Sequence, residues 1–262
     1  MLLALLLAAI MIPSPNGMLF PTHAVGPPGP LPAGARPVTV STPDGNVLHG
    51  VHIPPVTKQK RRILVLGLGG NAWNGSDVAV FLHGLYPQAE VMAFHYRGYR
   101  PSTGEPSAKG LLADAPLVLG FAVDQVRPEV TIAAGFSIGS GVAAFLAGKG
   151  LVDGAILVTP FESLKAAASD LFPWLPVGLF FSDEIDAGKL LARSDTPIAI
   201  IAAERDTLIR PARTDALRRT VRNLAFDRTI TGASHNDIYE RPEFAAAMRD
   251  ALAHVTGKNA KD

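Results

Sequence analysis

From Val38 onward, short runs rich in β-branched and other apolar residues alternate with longer stretches whose apolar residues recur at helical spacing. "VTVSTPDGNVLHGVHI" has two alternating halves around Pro-Asp-Gly-Asn and predicts an opening hairpin. "RRILVLGLGG" reads as a buried strand that runs into a glycine loop, followed by a helix from about Asp77 to Leu85. "EVMAFHY" is the next strand and "RGYRPSTGEPS" a loop. Ala108 to Val126 is a helix with Leu111, Leu112, Ala115, Leu119 and Ala122 on one face. "TIAAGFSIGSG" is a strand that passes into the small residues of another helix, and "GAILVTP" and "PIAIIAAERD" are two further buried strands. "LAFDRTITG" is the last strand, and Pro242 to Val255 a terminal helix with proline at an early position. Nearly all-apolar strands alternating with helices predict an α/β domain over residues 38–257: a mostly parallel sheet with helices on both faces. Such open sheets bind ligands beyond the carboxyl ends of their strands, so chemistry is sought in the residues just after each one.

The chain before this domain follows a different pattern. "MLLALLLAAIMI" has the length of a signal-peptide apolar core and falls short of the roughly 20 residues a membrane-spanning helix needs. Residues 1–24 therefore read as a hydrophobic signal or anchor segment, with small residues at Ala24 and Ala35 as cleavage points. No Lys or Arg precedes the apolar run, and the competing reading is a hydrophobic arm packed on the domain. The first reading places the protein outside the cytoplasm or on the periplasmic side of the inner membrane; the second leaves a cytoplasmic location open. Residues 25–37, "VGPPGPLPAGARP", are too rich in Pro and Gly for a helix or a central strand and read as a linker.

Composition narrows the chemistry. A net charge of +1, with 18% charged and 48% hydrophobic residues, suits a well-packed globule and gives no electrostatic bias toward nucleic acid. The absence of cysteine excludes disulfides, thiolate metal sites, a thiol nucleophile and a cysteine-linked lipid anchor.

Within the strand-to-helix stretch, Gly135-Phe136-Ser137-Ile138-Gly139 fits G-x-S-x-G in the context that gives this pattern meaning. An abrupt strand-to-helix turn strains the serine backbone, and glycine on either side removes side chains that would collide across it. The bland alternative is a glycine-rich turn with an incidental serine. A hydroxyl becomes a useful nucleophile only when a base takes its proton, so a histidine held by a carboxylate is required elsewhere. Asp206 lies just beyond "IIAA" and His235 just beyond the last strand, in the chain order Ser, Asp, His. Asp186, Asp215 and Asp237 compete for the acid, and Glu204 stands two residues from Asp206; Asp237 reads as a partner for its own loop's backbone. The oxyanion donors are the N–H of Ile138, next to the nucleophile, and that of Asn71 in "GLGGNAWN". This glycine loop does not match a dinucleotide fingerprint, because Ala72 stands where G-x-G-x-x-G needs glycine. No metal or organic cofactor is called for.

"TPDGNVLHG", "GGNAWN", "YRGYRPSTGEPSAKGLLADA", "GFSIGSG", "TPFESL", "FPWLPV", "AERDTLI" and "GASHND" together resemble the α/β-hydrolase superfamily over nearly all of Val38 to Val255. More narrowly, the chain is similar to single-domain hydrolases that include the eukaryotic protein depalmitoylases and their often membrane-anchored bacterial relatives. The resemblance implies a triad on Ser137, Asp206 and His235, with the oxyanion loop on "GGNAWN". The chain departs from that pattern at Gly69, where histidine is usual, at Trp73 and Arg100, where glycine is usual, and at Ile138, where leucine is usual. Trp73 is expected to narrow or cover the acyl site. A segment at about residues 160–195 has no strand signal and carries Phe161, Leu171, Phe172, Trp174, Leu175, Leu179, Phe180 and Phe181. It reads either as a small helical lid over an acyl pocket or as ordinary packing on the sheet. The expected activity is hydrolysis of a small-molecule or lipid-like acyl ester or thioester. Peptidase action by the same residues and a non-catalytic binding protein of this fold are the alternatives.

Overall fold

The computed structural model describes residues 15–57, 60–174, 177 and 184–257. Eight strands form one sheet: β1 (Arg36–Ser41), β2 (Val47–Ile53), β3 (Ile63–Leu68), β4 (Glu90–Phe94), β5 (Val130–Phe136), β6 (Gly154–Val158), β7 (Ile198–Ala203) and β8 (Leu224–Ile230). They lie in the order β1-β2-β4-β3-β5-β6-β7-β8. The β1/β2 and β2/β4 pairings are antiparallel and the other five are parallel.

Helices cover both faces: α1 (Pro15–Leu19), α2 (Gly75–Leu85), α3 (Ala108–Val126), α4 (Ile138–Gly148), α5 (Leu164–Leu171), α6 (Ala187–Leu191), α7 (Pro211–Thr220) and α8 (Pro242–Val255). Alternation along the strands divides the core in two. Leu64, Leu66 and Leu68 of β3 pack with residues of α3, α4 and α6, whereas Ile63 and Val65 pack with α2 and α8. Burial of both faces explains why β3, β5, β6 and β7 carry apolar and small residues almost throughout. Helix limits follow from caps. Ser107 accepts the Gly110 N–H at the start of α3, Asn74 accepts the Asp77 N–H at the start of α2, and proline occupies the first position of α7 and α8.

The register sets where chemistry can occur. Gly67 and Leu68 of β3 pair with Ala134 and Gly135 of β5, so the glycine loop and the G-x-S-x-G turn leave the sheet side by side. Ala203 pairs with Ile230, which brings together the loops after β7 and β8. The "YRGY" motif braces this rim. Arg97 Nε donates to Asp114 Oδ2 on α3 at 2.7 Å, Nη2 reaches Asp114 Oδ1 at 2.5 Å, and Nη1 reaches Asp44 in the hairpin turn at 3.0 Å.

At the N-terminus, residues 1–14 of the expected signal or anchor segment lie outside the described residues. Residues 15–24 are not separate from the globule: Leu19 and Phe20 are buried in the larger core cluster. The linker reading is corrected at its end, because Arg36 and Pro37 already belong to β1; proline is tolerated there because β1 is an exposed edge strand. Among the described residues, no helix is long and apolar enough to cross a membrane.

In the segment of about 160–195, Phe161 and Leu164 are core residues, Leu171 reaches the rim of the sheet's carboxyl edge, and Trp174 is 66% exposed. Leu175, Leu179, Phe180 and Phe181 lie outside the described residues.

Candidate active site

Ser137 occupies the turn between β5 and α4 with φ +52° and ψ −118°, a conformation that costs a non-glycine residue about 1–3 kcal/mol. The surroundings hold it there. Its N–H donates to Val158 O at 3.0 Å, and its carbonyl accepts from Ser140 N–H at 2.9 Å and Ser140 Oγ at 2.5 Å. The flanking glycines are needed for close approach. A Cβ on Gly135 would lie 2.2 Å from Gly139 O, and one on Gly139 would lie 2.1 Å from Leu68 O and 2.5 Å from Gly69 O. The second clash is with the β3 loop rather than across the turn, so Gly139 sets the distance between the Ser137 turn and the glycine loop.

His235 Nε2 stands 3.1 Å from Ser137 Oγ, and His235 Nδ1 stands 2.7 Å from Asp206 Oδ2. An ionised carboxylate only accepts, so Nδ1 carries the proton and the Nε2 lone pair faces the serine hydroxyl. Asp206, 5% exposed, is fixed through its other oxygen by the N–H groups of Leu208 at 2.9 Å and Ile209 at 2.7 Å. His235 is 8% exposed. The two loops are stitched together: Glu204 N–H donates to Ile230 O, Arg205 N–H to Ala233 O, and Gly232 N–H to the Glu204 carboxylate at 2.7 Å.

The competing acids have other partners. Glu204 serves that stitch, Asp186 caps α6 through Lys189 N–H, and Asp215 pairs with Arg218. Asp237 accepts Ser234 N–H at 2.7 Å and pairs with Arg241 at 2.6 Å; the Arg241 hydrogen bond holds its carboxyl below the ordinary range and keeps it ionised to brace the histidine loop.

The glycine loop passes directly over the turn: a Cβ on Gly70 would sit 3.7 Å from Ser137 Cβ. Gly70 O accepts Trp73 N–H at 3.2 Å. In a trans peptide the N–H points opposite to the carbonyl, so the Asn71 N–H is directed away from that bond. Among the described residues, no backbone acceptor takes the N–H of Asn71 or Ile138.

These groups border a cleft of about 390 Å³ lined by Asn71, Trp73, Phe81, Ser137, Leu171, Leu208, Ile209, His235 and Tyr239, among others. Trp73 does not cap it as a free flap. The indole packs at 5.2 Å from Phe81, 5.2 Å from Phe136 and 5.4 Å from Tyr239, which makes it part of a rigid aromatic wall. Burial pushes the Tyr239 phenol up to about 12, so the hydroxyl stays neutral. Phe81, Leu208, Ile209 and Tyr239 were not expected at the site; Tyr239 sits in the single turn before α8, where no periodicity singles it out. Among the described residues, no three His, Asp or Glu side chains are grouped to hold a metal.

No family model matches the chain. An uncharacterized protein of Mycobacterium tuberculosis is 33% identical over 212 residues, covering 79% of this chain and 74% of that protein. A lysophosphatidylserine lipase of Danio rerio is 28% identical over 226 residues; the match covers 74% of this chain and 59% of the lipase's own length. Among solved structures, an alpha-beta hydrolase from Vibrio vulnificus superposes with a TM-score of 0.70 over 93% of this chain and 92% of that one, at 20% identity. With an eight-stranded sheet of this order and this structural neighbour the chain has the α/β-hydrolase fold, and it belongs to one family with the Mycobacterium tuberculosis protein.

Proposed function

We propose that the protein is a serine hydrolase that cleaves carboxylic esters or thioesters through an acyl-enzyme on Ser137. The observation that carries this reading is the unbroken line from Asp206 through His235 to a strained, cleft-facing Ser137, with contacts of 2.7 and 3.1 Å. His235 Nε2 takes the hydroxyl proton as Oγ attacks the substrate carbonyl, and Asp206 holds the imidazolium that forms. The N–H groups of Ile138 and Asn71 receive the developing oxyanion, and the dipole of α4 adds to their field. His235 then returns the proton to the leaving alkoxide or thiolate. Water, deprotonated by the same imidazole, releases the acid and restores the serine.

The apolar wall of Trp73, Phe81, Leu171, Leu208, Ile209 and Tyr239 supports an acyl group of hydrocarbon character as the part of the substrate held in the cleft. The lipase relative is consistent with a lipid-like ester. Hydrolysis of p-nitrophenyl butyrate by the wild type, with a loss of about 10⁴-fold or more in kcat for Ser137→Ala, is the expected result. Equal turnover by the two proteins would refute the assignment.

A further inference from the structure

We propose that residues 15–29 form a strap that positions the Asn71 amide for the reaction, so that the segment preceding the sheet is part of the hydrolytic apparatus. This inference rests on the oxyanion role given to Asn71 above. The strap is stitched to the loop after β3 at three points. Asn71 Nδ2 donates to Leu19 O at 3.0 Å, Asn74 Nδ2 reaches Gly26 O at 3.5 Å, and Gly29 N–H donates to Asp77 Oδ1 at 2.8 Å. The three partners recur at every third residue of "NAWNGSD", so one run of chain follows the oxyanion loop into the first turn of α2.

The first contact is anchored by burial. Leu19 and Phe20, the latter 2% exposed, share the core cluster with Tyr99, and the Tyr99 hydroxyl donates to Asn71 O at 2.8 Å. Asn71 is thereby held by its side chain from the strap and by its carbonyl from Tyr99, while Gly70 O is held by Trp73 N–H. The free N–H between these restraints has little freedom to turn. Since an oxyanion donor is effective only when its direction is fixed before charge develops, loosening one restraint raises the barrier without weakening ground-state binding. Leu19 and Phe20 are therefore positioning residues. Cleavage after Ala24 or Ala35 would separate both from the oxyanion loop's own chain.

The test uses the full-length chain with Phe20→Ala, Asn71→Ala and the double variant, assayed on p-nitrophenyl butyrate alongside melting temperatures. Each single variant is expected to lower kcat about tenfold with KM within about twofold, a fraction of the 10²–10³ lost when a donor is removed outright. The double variant is expected to fall no further than the weaker single, because both break one linkage. Phe20→Leu, which keeps an apolar side chain in the pocket, is expected to restore kcat. Normal kcat in Asn71→Ala, or effects that multiply in the double variant, would overturn the proposal. Should Phe20→Ala prove unfolded, Asn71→Ala and Phe20→Leu still decide it. Wild-type turnover that persists in Ser137→Ala would instead bring down the hydrolase reading itself.

Discussion

Replacing Gly139 by alanine tests the geometry that the nucleophile turn and the oxyanion loop share. The added methyl would sit 2.1 Å from Leu68 O, 2.5 Å from Gly69 O and 2.6 Å from Leu68 C, all backbone atoms that no side-chain rotation can clear. Relief requires the start of α4 and the end of β3 to separate by more than about 1 Å before the contacts become ordinary van der Waals ones. Overpacking of this kind costs about 1–3 kcal/mol of stability. In the proposed mechanism the functional loss is larger, because the separation moves the Ile138 and Asn71 N–H groups apart across the place assigned to the oxyanion. A 1 Å misplacement is worth about 10²-fold in rate. Gly139→Ala is therefore expected to lower kcat/KM on p-nitrophenyl butyrate by about 10²-fold and to reduce the melting temperature by several degrees. A soluble variant with activity within about twofold of wild type and an unchanged melting temperature would show that close approach at this position is not what glycine supplies.

Three further outcomes are expected. Asp206→Asn keeps an oxygen for the Leu208 and Ile209 N–H groups but turns its amide toward His235 Nδ1, which favours the tautomer that cannot accept the serine proton; kcat should fall about 10³–10⁴-fold in steady-state assays, with little change in melting temperature. Trp73→Ala opens the aromatic wall, so a panel of p-nitrophenyl esters of graded length should show its optimum shifted to longer acyl chains, at a stability cost of about 2–4 kcal/mol; an unchanged profile would mean the indole does not bound the acyl site. His95 is buried against Ser76 Oγ, and burial first, then nearby His49, holds its imidazole below the ordinary value, opposed by Asp77. The unfolded chain therefore takes up this proton first: the stability due to neutral His95 is complete above pH about 6.5 and is lost as pH falls toward its folded value. Melting temperature should fall between pH 7.5 and 5.5, and His95→Gln should flatten that slope.

Much of this architecture is legible along the chain because its signals are local. A strand buried on both faces has to be apolar throughout, which makes β3, β5, β6 and β7 stand out. α3 and α8 begin at a serine cap and at a proline, so their limits can be read to the residue. The G-x-S-x-G turn announces itself by glycines whose necessity is steric. α7 is not legible, since "PARTDALRRT" buries only Thr214 and Leu217 and presents no apolar stripe. β1 starts two residues before the alternating pattern suggests, inside what composition marks as linker. The docking of Leu19 and Phe20 is invisible for a different reason: an apolar run ahead of a Pro/Gly-rich stretch has the same composition whether it leaves the domain or folds back on the loop after β3. Only the long-range contact with Asn71 distinguishes the two.

Tandem mass spectrometry of the full-length protein after reaction with a fluorophosphonate probes the central claim most directly, because phosphonylation requires a serine already activated by its histidine. The account predicts one stoichiometric adduct on Ser137 that is lost in Ser137→Ala and slowed by orders of magnitude in His235→Ala. An unmodified Ser137 in folded wild-type protein, or labelling as fast in His235→Ala as in wild type, would contradict it.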